Sequence, residues 1–248
     1  MGSKSRFAKE ILPIILKDRT EGQYYVEPFS GGMNSLDKVS GLRIANDNNK
    51  HLIAMWKGLS DGIKYPEDID RDLYSLARDV YNGKETRFEH LMNMTEDLIG
   101  WVGFMASANG RFFEGGYSGK SKTKTGLVRD YISESIRNIN KQIPNLDGVA
   151  FYSKDYTDLE IPENSIIYCD IPYQGTKQYS TSKGFDYDRF WDWARLKSIQ
   201  GHDLFISEYN APEDFECVWQ KSTKSSLRAN SNISGSKIST EKLFKIKK

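Results

Sequence analysis

The chain has 248 residues and a nearly balanced charge, since 35 Lys and Arg against 34 Asp and Glu leave a net charge of +1. Its mean hydropathy is −0.62, no apolar stretch approaches the roughly 18 residues that span a bilayer, and the N-terminus lacks the apolar centre of a signal peptide. These features argue against a membrane-spanning or secreted protein and predict a soluble cytoplasmic one, long enough for one domain with an insertion or for two small domains.

The cysteines and histidines form no metal-binding pattern. Cys169 and Cys217 are the two cysteines, and both lie in predicted strands, while three scattered histidines complete no ligand spacing. We expect reduced, buried thiols and no metal ion.

The first quarter of the chain alternates strands with helices. An opening helix is predicted by the spacing of its apolar residues, and a strand at 24–27 leads into a turn. A second strand at 42–45 ends at Asn46 and Asp47, and an amphipathic helix around Trp56 follows. This alternation predicts an α/β fold.

The turn after the first predicted strand is a candidate site for a nucleoside cofactor. Gly31 and Gly32 let the backbone approach a ligand closely, and Phe29 can cover the ligand with a ring face. Asp47 lies where an acidic residue accepts hydrogen bonds from ribose hydroxyls in dinucleotide folds. Met33 replaces the third glycine of a pyrophosphate loop and no Walker lysine is present, so an adenosine-type ligand without phosphates fits better than NAD or ATP. A purely structural Gly-Gly turn is the alternative.

The middle of the chain has the pattern of a helical insert. Apolar residues keep helical spacing from Ile69 to Val80, residues 86–89 form a capping-box pattern that opens the next helix, and residues 128–136 predict another. The α/β pattern then resumes with strands at 149–152, 165–169 and 204–207 and with shorter candidates at 215–219 and 243–246.

Two segments concentrate positive charge. Residues 218–248 hold eight bases and one acid, Glu241, which makes this tail net +7, and residues 111–129 hold five bases and one acid, Glu114. The second segment interleaves its bases with aromatic residues, glycines, serines and threonines, as a phosphate-binding loop does. Solvated basic loops are the alternative for either segment alone, but the two together favour nucleic acid as a partner.

The most informative stretch is Cys169-Asp170-Ile171-Pro172-Tyr173, which directly follows an apolar strand. An exocyclic amine on adenine or cytosine is a poor nucleophile because its lone pair is delocalised into the ring. The Asp170 carboxylate and the Ile171 carbonyl can accept both amine protons and favour the tetrahedral nitrogen of the transition state. Tyr173 can stack on the base, and Pro172 presets the turn. An ordinary Asp-x-Pro turn after a strand is the alternative.

Five blocks in this order together resemble the Dam-like (alpha-group) DNA adenine methyltransferases of bacteria and phages. They are Gly2-Ser3-Lys4, Val26-Glu27-Pro28-Phe29-Ser30-Gly31-Gly32, Ala45-Asn46-Asp47-Asn48-Asn49-Lys50, Lys154-Asp155-Tyr156 and Tyr168-Cys169-Asp170-Ile171-Pro172-Tyr173. The resemblance implies a Rossmann-like sheet that binds S-adenosyl-L-methionine (AdoMet), formed by residues 1–56 and 140–248. It also implies a mainly helical target-recognition insert at 57–139 that binds double-stranded DNA in the cytoplasm of a bacterial or phage-infected cell.

The resemblance also implies roles for individual residues. Lys4 and Asp47 would bind AdoMet, Phe29, Gly31 and Gly32 would shape its pocket, and Asp155, beside Tyr156, would reach its adenine. Asp170 would hold the target amine next to the methylsulfonium, with Ile171, Pro172 and Tyr173 completing the catalytic motif. Because a stacked base is inaccessible, the target must be flipped out of the duplex.

The insert contains the residues expected to contact DNA. Residues 107–112 resemble the Asn-Gly segment of the family at the DNA surface, where Arg111 could be bidentate to guanine and Asn109 to adenine. A glycine turn with a solvent-facing arginine is the alternative. The lysines expected to hold phosphates are Lys120, Lys122 and Lys124.

Two departures from the family pattern leave alternatives open. The family usually has Asp-Pro-Pro-Tyr, and Ile171 at the second position keeps the carbonyl but makes the turn less rigid. Many relatives also carry an aromatic residue four positions before the lysine matched by Lys4, and its lack here predicts that one wall of the AdoMet pocket is thinner or is supplied by other residues. A catalytically weak relative that acts as a DNA-binding or anti-restriction protein is therefore the alternative.

Within the enzyme interpretation, adenine is the expected target, cytosine at its exocyclic amine is a minor alternative, and nothing in the sequence excludes RNA. A monomer is expected in solution, although the sequence does not determine the oligomeric state.

Overall fold

The computed structural model describes residues 4–122, 125–175, 184–224 and 238–247. Within these residues the helices are α1 (Ser5–Ile15), α2 (Lys50–Ser60), α3 (Arg71–Tyr81), α4 (Phe88–Asn93), α5 (Glu96–Met105), α6 (Tyr131–Asn140) and α7 (Tyr187–Ile199). The strands are β1 (Tyr25–Glu27), β2 (Arg43–Asn46), β3 (Lys120–Lys122), β4 (Val128–Asp130), β5 (Val149–Tyr152), β6 (Ile166–Asp170), β7 (Asp203–Glu208), β8 (Phe215–Lys224) and β9 (Ile238–Ile246).

Seven of the described strands form one central sheet in the order β5-β2-β1-β6-β7-β9-β8. The first five strands in this order, from β5 to β7, run parallel, and β9 is antiparallel to both of its neighbours. Numbered among themselves, the parallel strands have the order 3-2-1-4-5 of a Rossmann-like sheet, with the topological switch point between β1 and β6. The predicted α/β class, with a Rossmann-like sheet and a mainly helical insert, is confirmed.

The sheet is buried on both faces. Alternate side chains of each strand point to opposite sides, and each side packs in an apolar cluster. Tyr25, Ile166 and Tyr168 belong to the apolar cluster that includes α1, α2 and the helices of the insert. Val26 and Ile167, each one residue along, belong to the cluster that includes α7. The ligand crevice of such a sheet lies at the carboxyl ends of its parallel strands.

The insert packs tightly on the sheet domain through α5 and α2. A Cβ added at Gly100 in α5 would lie 2.0 Å from the backbone oxygen of His51 in α2, so only glycine allows the two helices to approach this closely. Their apolar residues form one continuous core. The predicted boundary at 56/57 falls inside α2, and the one at 139/140 falls at the end of α6. The division into two domains stays a prediction.

Two predictions of local structure in the insert were wrong. A capping box that starts at Thr86 was predicted, but α4 begins at Phe88, and its N-cap residue, Arg87, makes no side-chain cap. The backbone N–H groups of Thr86 and Arg87 donate to the Glu85 carboxylate. Val128 does not begin a helix but lies in β4, and α6 starts at Tyr131 after Asp130.

The basic segment at 111–129 is not simply a loop. β3 and β4 form an antiparallel pair with Lys120 opposite Asp130. Val128 is extended although the apolar spacing at 128–136 predicted a helix. The reason is that β3 supplies backbone hydrogen-bond partners that an isolated helical turn lacks.

The two cysteines differ in exposure. Cys169 in β6 is buried, as predicted, but Cys217 is exposed, so the prediction of a second buried thiol was wrong. Cys217 lies on the edge strand β8, at a register shift between Cys217 and Trp219. A strand at the edge of a sheet is covered less than a central one. Among the described residues, no helix has both the length and the apolar character needed to cross a membrane.

Candidate active site at the carboxyl edge of the sheet

The residues singled out by the sequence meet at one edge of the sheet. The turn with Gly31 and Gly32 follows β1, Asp47 follows β2, and Asp170 ends β6. Since β2, β1 and β6 are adjacent and parallel, their carboxyl ends open into the same crevice, on both sides of the switch point.

The turn after β1 is held by two hydrogen bonds to neighbouring elements. The backbone N–H of Ser30 donates to the carbonyl of Asn46 at 2.8 Å, and the Trp56 indole donates to the Gly31 carbonyl at 3.1 Å. Gly31 and Met33 both have positive φ, at 46° and 53°. Met33 thus has the left-handed backbone conformation that normally favours glycine. Its fully buried side chain offsets the backbone strain.

Asp47 lies beneath this turn with both carboxylate oxygens oriented. Its Oδ2 accepts the N–H of Gly31 at 3.1 Å, and its Oδ1 accepts the N–H of Asn49 at 3.0 Å. Burial raises the pKa of Asp47 above its ordinary value, although these two hydrogen bonds oppose the shift. Each carboxylate oxygen can accept a further hydrogen bond, so Asp47 keeps the capacity to bind hydroxyl groups.

An aromatic wall flanks the turn. The ring centre of Phe29 lies 5.1 Å from the ring centre of Tyr156 and 5.8 Å from the ring centre of Phe185. Among the described residues, the buried hydroxyls of Ser30 and Tyr156 have no hydrogen-bond partner. Buried polar atoms usually find a partner, so two such hydroxyls beside an aromatic wall and an oriented carboxylate fit a bound nucleoside.

Asn46 connects this wall to the turn. Its side-chain amide donates to the carbonyls of Pro28 and Lys154, both at 3.0 Å, and its Oδ1 accepts the N–H of Lys154 at 3.0 Å. This clamp places the segment after β5, which carries Asp155 and Tyr156, against the end of β1.

Asp155 is exposed next to Tyr156. Thr157 donates to it through its N–H at 3.0 Å and its hydroxyl at 2.6 Å, and the Arg189 guanidinium lies at 3.3 Å. Burial alone would raise the pKa of Asp155, but these groups lower it below its ordinary value. Asp155 is therefore an ionised acceptor at neutral pH, as an interaction with an exocyclic amine requires.

Asp170 lies in a cluster of charged groups. The Lys4 ammonium is 3.3 Å from Asp170 Oδ1 and donates to Glu241 Oε2 at 2.8 Å. Tyr173 also donates to Glu241 Oε2 at 2.8 Å, and Lys4 contacts the Tyr173 hydroxyl. The Asp170 side chain is 26% exposed against 10% for Lys4, so Asp170 is the less buried partner of this pair.

The charges of the cluster shift one another. Burial raises the pKa of Asp170 above its ordinary value, while Lys4 opposes the shift and Glu241 adds to it. Burial alone would lower the pKa of Lys4, but Asp170 and Glu241 together raise it above its ordinary value. The lysine is therefore a cation and its neighbours are its counter-ions.

The turn that follows Asp170 is packed at each of its residues. The Ile171 side chain is buried in the apolar cluster on the α7 side of the sheet, so isoleucine is accommodated at this position by packing. The Pro172 carbonyl accepts from the Tyr187 hydroxyl at 2.9 Å. The Tyr173 ring meets that of Tyr209 edge to face at 4.6 Å.

Three carboxyl groups at this edge were not identified from the sequence. Glu27 ends β1, Glu208 ends β7, and Glu241 comes from β9. Glu208 accepts the N–H groups of Gln174 and Tyr209, at 2.9 and 2.6 Å, and so holds the residues next to Tyr173. The only sequence signal was the position of Glu241 as the lone acid of a basic tail.

Glu27 is buried, and Tyr25 donates to it at 2.8 Å. Burial raises its pKa from 4.5 to about 8, against the hydrogen bonds of Tyr25 and Ser35, so it is protonated at neutral pH. Because the folded-state pKa is raised, its contribution to stability is complete below the unfolded pKa and is lost as the pH rises through 8.

We therefore expect the free energy of unfolding of the wild type to fall, relative to Glu27→Gln, by roughly 1.4 kcal/mol for each pH unit between the two pKa values of Glu27. Urea unfolding of both proteins from pH 5 to pH 9 measures this difference. A difference that stays constant with pH would contradict a protonated Glu27.

The residues of the insert that are expected to contact DNA differ in their exposure. Asn109 is exposed with a φ of 58°, and Arg111 is partly buried with its Nε shielded from solvent. Arg111 is therefore not a fully solvent-facing side chain. Lys120 and Lys122 are exposed on β3, and Lys120 lies 3.9 Å from Asp130. Lys124 lies outside the described residues.

No group of three or more potential metal ligands occurs in the part of the chain that the structure describes. The Asp170 carboxylate is paired with the Lys4 ammonium, and the Glu241 carboxylate accepts from Lys4 and from the Tyr173 phenol.

Comparison with known proteins gives one family. A sequence model described as "D12 class N6 adenine-specific DNA methyltransferase" matches residues 1–214. A search among curated proteins finds none that matches this chain.

Two solved structures show a distant likeness to this chain. The rRNA methyltransferase aviRa from Streptomyces viridochromogenes is 10% identical with a TM-score of 0.39, over 98% of this chain and 84% of that one. A putative methyltransferase, SMU.472, complexed with SAH, is 10% identical with a TM-score of 0.38, over 99% of this chain and 52% of that one.

Proposed function

This chain belongs to the D12 class N6 adenine-specific DNA methyltransferase family, and we propose that it transfers a methyl group from AdoMet to the exocyclic amine of a flipped-out adenine in a specific duplex sequence. The observation that carries this proposal is the position of Asp170. Its partly exposed carboxylate lies at the end of β6, across the switch point from the turn that Asp47 supports. An amine held by Asp170 would thus lie in the same crevice as a nucleoside held by Asp47.

The cofactor pocket is the part of the crevice on the β1 and β2 side. Asp47 would accept from the ribose hydroxyls, and Phe29 and Tyr156 would cover the adenine, whose amine Asp155 would accept. The unpartnered hydroxyls of Ser30 and Tyr156 support a polar ligand there. When bound, AdoMet supplies an electrophilic methyl group on a sulfonium.

The target pocket is the part of the crevice around Asp170. The Asp170 carboxylate and the Ile171 carbonyl would accept the two amine hydrogens, which favours the tetrahedral nitrogen as it bonds to the methyl carbon. Tyr173 would stack on the base. The amine loses one proton in the product, and the Asp170 carboxylate, 3.3 Å from the Lys4 ammonium, would be placed to accept it.

The insert would read the DNA. The base must leave the stack to reach Asp170, and the exposed lysines of β3 would hold the backbone next to Asn109 and Arg111.

Phosphate contacts and base reading predict different effects of mutation. Replacing Lys120 and Lys122 with glutamine should weaken binding to all duplexes alike and reduce the salt slope by about 2 if both touch phosphates. Arg111→Ala should instead cost roughly 1 to 3 kcal/mol at one base position and relax the preference there. Fluorescence anisotropy at several salt concentrations, on cognate and single-substitution duplexes, separates the two.

An unaltered salt slope in the double lysine variant would contradict the placement of the DNA surface on β3. The matched control is Lys84→Gln, an exposed lysine that follows α3.

The reaction is tested directly with purified protein, methyl-labelled AdoMet and duplex DNA. Digestion to nucleosides should place the label on N6-methyl-2′-deoxyadenosine. Label on N4-methylcytosine, or transfer to RNA alone, would overturn the assignment of the target. AdoMet binding with no transfer to any DNA would instead favour a DNA-binding or anti-restriction role.

A further inference from the structure

Glu241 reaches the candidate active site from β9. β9 pairs with β7 in a register that places Glu208 opposite Lys242, so Glu241 lies just beyond the carboxyl end of β7. It shares a strand face with Leu243, which is fully buried in the cluster that includes α1. Lys4 is the N-cap of α1, which brings the two side chains together.

We infer that Glu241 is a positioning residue of the methyl-transfer site, which holds the Lys4 ammonium partly off Asp170 and fixes the ring of Tyr173. This inference rests on the proposed function. β9 lies outside residues 1–214, the segment that the family model matches.

The first argument is competition for one ammonium. Lys4 lies closer to Glu241, at 2.8 Å, than to Asp170, at 3.3 Å. Glu241 is also less exposed than Asp170, at 16% against 26%, so the pair with Lys4 is the better shielded one. Without the Glu241 charge, Asp170 would be the nearest counter-ion, and the ammonium would occupy lone pairs that a target amine needs.

The second argument is the orientation of the base-stacking ring. The Tyr173 phenol donates to the same Glu241 oxygen that accepts from Lys4. The Lys4 ammonium lies 4.3 Å from the centre of the Tyr173 ring. One carboxylate thus holds both the Tyr173 hydroxyl and the ammonium next to that hydroxyl, which fixes the orientation of the ring for stacking.

A role in anchoring β9 alone would give a different result. β9 is already held along its length by β7 and β8, and Lys245 pairs with Asp203 at 2.8 Å. A purely structural Glu241 would therefore change folding or cofactor affinity together with turnover. A positioning residue should change turnover alone.

The test compares Glu241→Ala and Glu241→Gln with Glu216→Gln, which removes the same charge from an exposed position on β8. A hydrogen bond to a charged group is worth roughly 1.5 to 3 kcal/mol, so we expect kcat of Glu241→Ala to fall about 10 to 100-fold. The glutamine variant should retain more activity, because its amide oxygen can still accept from Tyr173. AdoMet affinity by calorimetry and KM for DNA should change less than about twofold, and Glu216→Gln should behave as the wild type.

A double-mutant cycle with Tyr173→Phe tests the route. Since that change removes the hydroxyl that Glu241 accepts from, Glu241→Ala should lower kcat by a smaller factor in the Tyr173→Phe background than in the wild type. Equal factors, or an unchanged kcat in Glu241→Ala, would overturn the positioning role while leaving the proposed function intact. A wild type that methylates no DNA would overturn both.

Discussion

Asp170→Ala is expected to lower the rate of methyl transfer by roughly 10² to 10³-fold, because it removes a preorganised acceptor for the hydrogens of the target amine. The structure sharpens this expectation, because Asp170 is held at the end of a buried strand and its charge is balanced by Lys4. Single-turnover kinetics with saturating DNA and AdoMet measure the chemical step directly.

The matched control is Asp192→Ala, an aspartate on α7 whose side chain is 79% exposed. It should retain full activity. Asp170→Asn should be nearly as slow as Asp170→Ala, since an amide lacks the charge and keeps only one acceptor oxygen. An alanine variant within a few-fold of the wild type would contradict the mechanism.

Asp47→Ala is expected to weaken AdoMet binding by about 10 to 100-fold, because charge-assisted hydrogen bonds to two hydroxyls are worth roughly 1.5 to 3 kcal/mol. The substitution also removes the carboxylate that accepts hydrogen bonds from the N–H groups of Gly31 and Asn49. Calorimetric titration with AdoMet measures the affinity, and DNA binding without cofactor should stay unchanged.

A role of Asp47 as a helix cap is separable from this. The side chain of Asn49 caps α2, accepting from the N–H groups of His51 and Leu52. Asp61→Ala, at the other end of the same helix, is the matched control and should bind AdoMet normally. Unchanged affinity in Asp47→Ala would leave Asp47 with a structural role only.

The parts of the site that could be predicted from the sequence are those encoded locally. Asp47 comes directly after β2 and Asp170 is the last residue of β6, and the carboxyl ends of parallel strands meet at one edge of a sheet. The glycine pair likewise follows β1 directly. Strand and turn signals within a few residues were therefore enough to bring these residues together.

The parts that could not be predicted depend on contacts between distant segments. Glu241 meets Lys4 across 237 residues through the antiparallel pairing of β9, which no local pattern encodes. Cys217 has the apolar surroundings of a buried residue in the sequence, but its exposure follows from the edge position of β8. The β3 and β4 pair overrode a helical spacing at Val128 in the same way.

The central claim is tested most directly by single-molecule sequencing of DNA from a methylation-free host that expresses this chain. We predict N6-methyladenine at one short sequence motif throughout the genome, and no modified base in the same host expressing Asp170→Ala. An unmodified genome from cells with soluble wild-type protein, or a modification that persists in Asp170→Ala, would contradict the account.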